Sequence, residues 1–204
     1  MGAVMTTGRP QQVTLDNWMV PPAEGWTFDQ VKDLDLPFDW ELVDGAIVPR
    51  GQTKLWHDNV RDELRHHLRL AAPAAYRVNV ERCVMFDDNN VNKPDVVVFE
   101  KTDLDLLTVE CTPADKVKLA VEVVSPGSRS EDRVRKPERF ARAGVPYYWR
   151  IELEKDQRLA VHEFWLPVES RSYIPAPMHP VHQEKLVTEV PFPVEIDLTA
   201  LLAS

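Results

Sequence analysis

The chain has 204 residues, 44% of them hydrophobic and 28% charged, the composition of a globular domain large enough to bury a core. Its formal net charge of −9 excludes a protein that coats nucleic acid by general phosphate neutralisation, so any such contact has to be local. No apolar run reaches the ~18 residues of a membrane span and no basic-then-apolar leader opens the sequence, so a cytoplasmic protein without a membrane partner is expected.

Residues 1–12 are small and polar without periodicity and read as a loose arm; residues 13–204 read as one domain. Thr27-Phe28-Asp29-Gln30-Val31 opens one short helix. Residues 40–48 hold two short apolar runs about Asp44-Gly45, a pair that favours a tight hairpin turn. Over residues 54–70, Trp56, Val60, Leu64 and Leu68 recur every four positions, which predicts an amphipathic helix. At ~100° per residue His57 falls within ~20° of Leu64 and Leu68, so it faces inward.

Pro73 ends that helix, residues 76–86 alternate as one strand, and Asp87-Asp88-Asn89-Asn90 forms a polar turn. Cys83 and Cys111 stand alone, without CxxC or Cys/His spacing, so neither a disulfide framework nor a zinc site is expected. Residues 95–99 and 117–124 are short β-branched runs that read as buried strands, with residues 101–115 as their linker. Residues 130–143 have helical spacing, Gly144 stops that helix, and residues 145–153 read as the next strand. Strands at 159–164 and 185–190, interrupted by prolines, and a short helix at 198–202 decorate an edge.

Each of the two buried strand runs has a carboxylate written into it, Asp95 in the first and Glu122 in the second. Acids are almost never buried unpartnered, and two of them on one face of neighbouring strands repel unless a cation lies between them. Hard oxygen donors suit Mg²⁺ or Mn²⁺, which can activate water and stabilise charge on a phosphodiester. Lys136, near the start of the following helix, is long enough to reach back to the strand end and to stabilise a developing oxyanion.

Plainer readings stand beside these. Asp95 can cap local backbone, and Glu122 can pair with Lys118, Arg133 or Arg135. Lys136 can be a solvated helix residue, His57 a core histidine, Glu41 an ordinary hairpin residue and Asp132 a helix cap or an arginine partner. The run Arg129, Arg133, Arg135, Lys136, Arg139 and Arg142 reads equally as a solvated face or as a local phosphate grip.

Pro94-Asp95, Val121-Glu122-Val123-Val124-Ser125-Pro126, Asp132 with Lys136, and Ala143-Gly144-Val145-Pro146-Tyr147-Tyr148-Trp149 together resemble the Uma-two family of putative restriction endonucleases, of the PD-(D/E)XK nuclease-like superfamily. The resemblance implies an α/β fold with a restriction-endonuclease-like core: a central mixed β-sheet flanked by helices, with an N-terminal hairpin and extra C-terminal strands. It implies Asp95 and Glu122 as metal ligands, with Glu41 and His57 matching two further polar positions. The superfamily's lysine, usually two residues after the acid, is replaced here by Val124, and the family's lysine corresponds to Lys136, although Pro137 follows it. The function so implied is Mg²⁺- or Mn²⁺-dependent hydrolysis of phosphodiester bonds, in DNA first of all, by a homodimer. The alternative is a nuclease-like fold that has lost efficient catalysis and binds nucleic acid or a protein partner.

Overall fold

The computed structural model describes residues 12–125 and 131–203. The expected arm over residues 1–12 lies outside them except for Gln12, as does Arg129 of the basic run. In chain order the elements begin with α1 (Phe28–Val31), β1 (Trp40–Val43), β2 (Ala46–Pro49), α2 (Leu55–Ala71), β3 (Tyr76–Val80), β4 (Val84–Asp87) and β5 (Asn90–Asn92). They continue with β6 (Val96–Glu100), β7 (Thr112–Pro113), β8 (Val117–Val123), α3 (Lys136–Arg142), β9 (Tyr147–Leu153) and β10 (Leu159–Trp165). The chain closes with β11 (Ile174–Pro175), β12 (Val181–Gln183), β13 (Lys185–Thr188), β14 (Val194–Asp197) and α4 (Ala200–Ala203).

Two compact units divide these elements. The first comprises the described residues up to Arg50 together with Phe86–Asn92. Its short helix α1 is opened by a capping box, in which the Thr27 N–H donates to Gln30 Oε1 at 2.8 Å. The expected hairpin is β1–β2, with Leu42 opposite Ile47. Asp44 and Gly45 both take left-handed φ values, 49° and 72°, as a two-residue turn of this hand demands. A Cβ at Gly45 would collide with the Cα of Gly25, so this turn needs glycine for space as well as for φ. Strand β5 runs along the other side of β1 through Leu42 and Val91.

The second unit comprises Gly51–Met85 and the described residues from Lys93 onward. Its main sheet has the strand order β11-β10-β9-β8-β6-β3, with β12 also on β10. Strand β6 is antiparallel to β8, β8 is parallel to β9, and β9 is antiparallel to β10, so the sheet is mixed. One face is covered by α2, whose Val60, Leu64 and Leu68 are fully buried against Val96, Val98 and Val121. Side chains alternate along strands, so the registered partners Ala120 and Tyr148, and Glu122 and Arg150, belong to the opposite face.

Three expectations need correction. Residues 76–86 form two strands rather than one, because the chain breaks at Glu81, whose φ is 48°. Cys83 and Cys111 do not stand alone: their sulfurs are bonded, with Cα atoms 4.7 Å apart. The cause is the pairing of β4 with β7, Val84 with Thr112, which sets the two preceding residues side by side. The linker at 101–115 contains β7 and the start of a 3-10 turn at Ala114–Lys116. Among the described residues no helix is long and apolar enough to cross a membrane.

Candidate functional site

The antiparallel register of β6 and β8 sets Val98 opposite Leu119 and Val96 opposite Val121, and Asp95 and Glu122 are the next residues along the chain beyond that last pair. Glu122 therefore belongs to the sheet face away from α2, and Asp95 stands just before β6 at the end of the ladder, where His57 of α2 reaches its carboxylate. Asp95 is 3% exposed and Glu122 is 1% exposed. Asp95 Oδ2 accepts the Val123 N–H at 2.7 Å, so the carboxylate is tied to the strand that carries Glu122.

Lys136 comes from the helix that follows β8. Its Nζ lies 3.0 Å from Glu122 Oε2 and 3.2 Å from Asp132 Oδ1. The proline at 137 does not keep the lysine away. Residues Glu131–Arg135 form a π turn that runs directly into α3, with Pro137 in the first turn of that helix. A proline inside a regular helix clashes with the carbonyl four residues earlier, and a widened turn before it relieves that crowding. Lys136 is consequently helical and 7% exposed, a buried cation rather than a solvated one. Asp132, expected as a cap or as an arginine partner, presents its carboxylate to Lys136 instead. The i,i+4 spacing of these two residues on a helix was the signal available in the sequence. Tyr148 was also missed; its hydroxyl donates to the Asp132 carbonyl at 2.8 Å and secures the π turn to β9.

His57 faces inward from the first turn of α2, as its position among Val60, Leu64 and Leu68 implied. Its Nε2 lies 3.2 Å from Asp95 Oδ2 and its Nδ1 lies 3.4 Å from Asp58 Oδ1. Burial is the largest influence on this imidazole and lowers its pKa, but the hydrogen bonds and charges of Asp95 and Asp58 outweigh it, leaving the pKa above the ordinary 6.5. Asp95 is the mirror case. Burial pushes its carboxyl up most strongly, and the His57 hydrogen bond and charge, the Lys136 charge and the Val123 N–H together hold it below the ordinary 3.8. The fully buried Tyr148 phenol is driven well above its usual range by burial first and then by the charges of Glu122 and Asp132. Asp95, Glu122, Asp132 and Lys136 thus form one electrostatic neighbourhood.

Glu41 lies in the first unit, where its Oε2 accepts from Asn92 Nδ2 at 3.0 Å; the other four expected residues lie in the second unit. Of the cations considered as plain partners of Glu122, Lys118 meets Glu100 at 3.2 Å, and Arg133 meets Glu152. Of the described residues of the basic run, Lys136 is buried, Arg139 is half-buried, Arg133 is exposed and paired with Glu152, and Arg135 and Arg142 are exposed.

The donors present suit a hard divalent cation. Carboxylate oxygens are what Mg²⁺ and Mn²⁺ take, and Mg²⁺ commonly needs only one or two of them from the protein, completing its shell with water and phosphate. Asp95 and Glu122 would hold such an ion. Among the described residues no three His, Cys, Asp or Glu side chains converge as a ready-made metal cage.

The sequence profile of the Uma2 family, described as "Putative restriction endonuclease", matches residues 28–200. Among solved structures the chain is similar to a putative nuclease belonging to DUF820 from Anabaena variabilis ATCC 29413, with a TM-score of 0.60 at 16% identity over 87% of this chain and 97% of that one. No curated protein matches the chain significantly. The architecture is accordingly the expected α/β restriction-endonuclease-like one, with the N-terminal hairpin and the additional C-terminal strands in place. A profile that spans most of the sequence, together with a nuclease fold, makes this chain a member of the Uma2 family of putative restriction endonucleases.

Proposed function

We propose that this protein is a metal-dependent endonuclease that hydrolyses phosphodiester bonds, with DNA as substrate. One observation carries the reading: in a member of this nuclease family, a buried lysine from α3 meets Glu122 at 3.0 Å beside the strand end where Asp95 is anchored. Asp95 and Glu122 are the residues that would hold Mg²⁺ or Mn²⁺. When bound, the ion supplies an activated water and charge stabilisation at the phosphodiester.

The chain's own residues do the rest. Lys136, held by Glu122 and Asp132, brings a fixed positive charge to the scissile phosphate and stabilises the charge that develops on it. His57 and the Val123 N–H hold Asp95 Oδ2 from two directions, which fixes the carboxylate and keeps it ionised. A homodimer would supply the second site that a duplex cut requires.

The test is nicking of supercoiled plasmid by purified protein with Mn²⁺, beside Asp95→Ala and Lys136→Ala. Cleavage by the wild type and its loss in both variants supports the proposal. Equal nicking by all three identifies a contaminant and removes it.

A further inference from the structure

The π turn and α3 present two rows of side chains about 100° apart around the helix. Asp132, Lys136 and Phe140 form the row that holds the candidate site. Arg133, Pro137 and Ala141 form the next row, and they line a cavity of about 280 Å³ whose other wall includes Arg150, Phe164 and Tyr173. That volume lies just under the ~300 Å³ lower bound of ordinary small-ligand sites, so the cavity suits one compact ligand and not an oligomer.

Its lining specifies the chemistry of that ligand. The Arg150 guanidinium lies over the Phe164 ring at 5.3 Å, and Tyr173 stacks on the buried Tyr148 with centroids 5.6 Å apart. Tyr173 is held in place by its hydroxyl, which donates to the Val145 carbonyl at 2.8 Å. Glu152 lies between the two arginines, accepting from Arg133 Nε at 3.1 Å and forming an ion pair with Arg150, whose Nε lies 2.7 Å from Glu152 Oε1. Both guanidinium groups are thereby immobilised at the cavity wall, and a guanidinium has five N–H donors, more than this bridge engages. Fixed aromatic rings, planar cations and spare N–H donors recognise a flat heteroaromatic ring that carries an anion. Glu138 and Ser172 add polar groups for the edge of such a ring.

We propose that this cavity is a subsite for a single unpaired nucleotide, its base against Phe164, Tyr173 and the Arg150 plane and its phosphate on the arginines. The subsite rests on the nuclease reading only for its role, which is to hold one nucleotide of the strand against the helix row next to that of Lys136. The substrate is then single-stranded, frayed or flipped at that position, because a base stacked within a duplex cannot enter the cavity.

The experiment is calorimetric titration of the full chain in EDTA with dAMP, dCMP, deoxyadenosine and inorganic phosphate, using wild type, Phe164→Leu and Ser172→Trp. Phe164→Leu removes the ring, whereas Ser172→Trp fills the cavity from an exposed position that bears little on folding. Nucleotide binding that is at least ~10-fold weaker in both variants, with inorganic phosphate bound at least ~10-fold more weakly than nucleotide by the wild type, supports the subsite. Equal nucleotide affinity in wild type and Ser172→Trp, or phosphate bound as tightly as nucleotide, overturns it. Because EDTA removes the metal, a protein that binds nucleotide and never nicks plasmid upholds the subsite and sinks the cleavage reading. Nicking without nucleotide binding does the reverse.

Discussion

Lys136 Nζ and Glu122 Oε2 lie 3.0 Å apart, although one residue belongs to a helix and the other to the strand before it. The strand position where the superfamily usually keeps its lysine holds Val124, which is 7% exposed and whose N–H is bonded to the Ile151 carbonyl at 2.8 Å. A cation thus reaches the acid from α3 instead of from the sheet.

Breaking this buried pair from one side leaves a charge in a poorly solvated place. Lys136→Met is expected to lower unfolding free energy by about 3–5 kcal/mol, and Lys136→Met with Glu122→Gln to lose less than the sum of the two single variants, Asp132 losing the Lys136 cation in both lysine variants. Chemical denaturation of the two single variants and the double variant measures the coupling. Additive losses would mean that the two groups do not interact.

The contact between His57 and Asp95 makes a signed prediction about pH in the metal-free protein. The raised imidazole contributes stability fully below 6.5, and that contribution fades as pH rises through its higher folded value. The lowered carboxyl contributes fully above 3.8, and that contribution fades as pH falls through its lower folded value. Both are complete between those limits. NMR titration in EDTA should place the His57 pKa above 6.5, and Asp95→Asn should bring it down, since burial then meets less opposition. An unchanged His57 pKa in Asp95→Asn would contradict the contact.

Glu163 is a further buried carboxylate, with a hydrogen-bond network of its own. Glu163, 2% exposed, accepts from Trp165 Nε1 at 2.7 Å and Thr188 Oγ1 at 2.9 Å, and lies 3.0 Å from His182 Nε2. Glu163→Leu strands the buried Thr188 and His182 and the half-buried Trp165 indole and should destabilise the protein by about 3–5 kcal/mol. Mn²⁺ affinity, read on the folded fraction, should not change. A loss of metal binding without loss of stability would put Glu163 in the site.

The Cys83–Cys111 bond closes a loop of sequence separation 28. By the chain-entropy account, reduction should lower unfolding free energy by about 3–4 kcal/mol. Denaturation with and without reductant checks this, and superimposable curves would show that the bond adds nothing.

Much of this was legible in the residues, for identifiable reasons. The period-four stripe Val60, Leu64, Leu68 gave α2 and turned His57 inward, and the β-branched runs around Asp95 and Glu122 gave the two central strands. Asp44-Gly45 announced the hairpin through its left-handed requirement. The break at Glu81 and the meeting of Cys83 with Cys111 were hidden, because a two-residue parallel pairing of β4 with β7 leaves no periodic trace. Asp132 was underrated because its worth depends on the path of Lys136, and that path depends on a π turn that no local propensity marks. Strands β11, β12 and β14 are short and partly exposed, so neighbours rather than their own sequence make them strands.

The central claim is that Asp95 and Glu122 share a divalent ion. Mn²⁺ titration followed by electron paramagnetic resonance, on wild type, Asp95→Asn and Glu122→Gln with folding verified by circular dichroism, tests it most directly. Saturable binding by the wild type that weakens at least ~10-fold in each variant is the predicted result, since each substitution removes a charged oxygen ligand. Binding of equal strength in all three proteins, or none in the wild type, would contradict the claim.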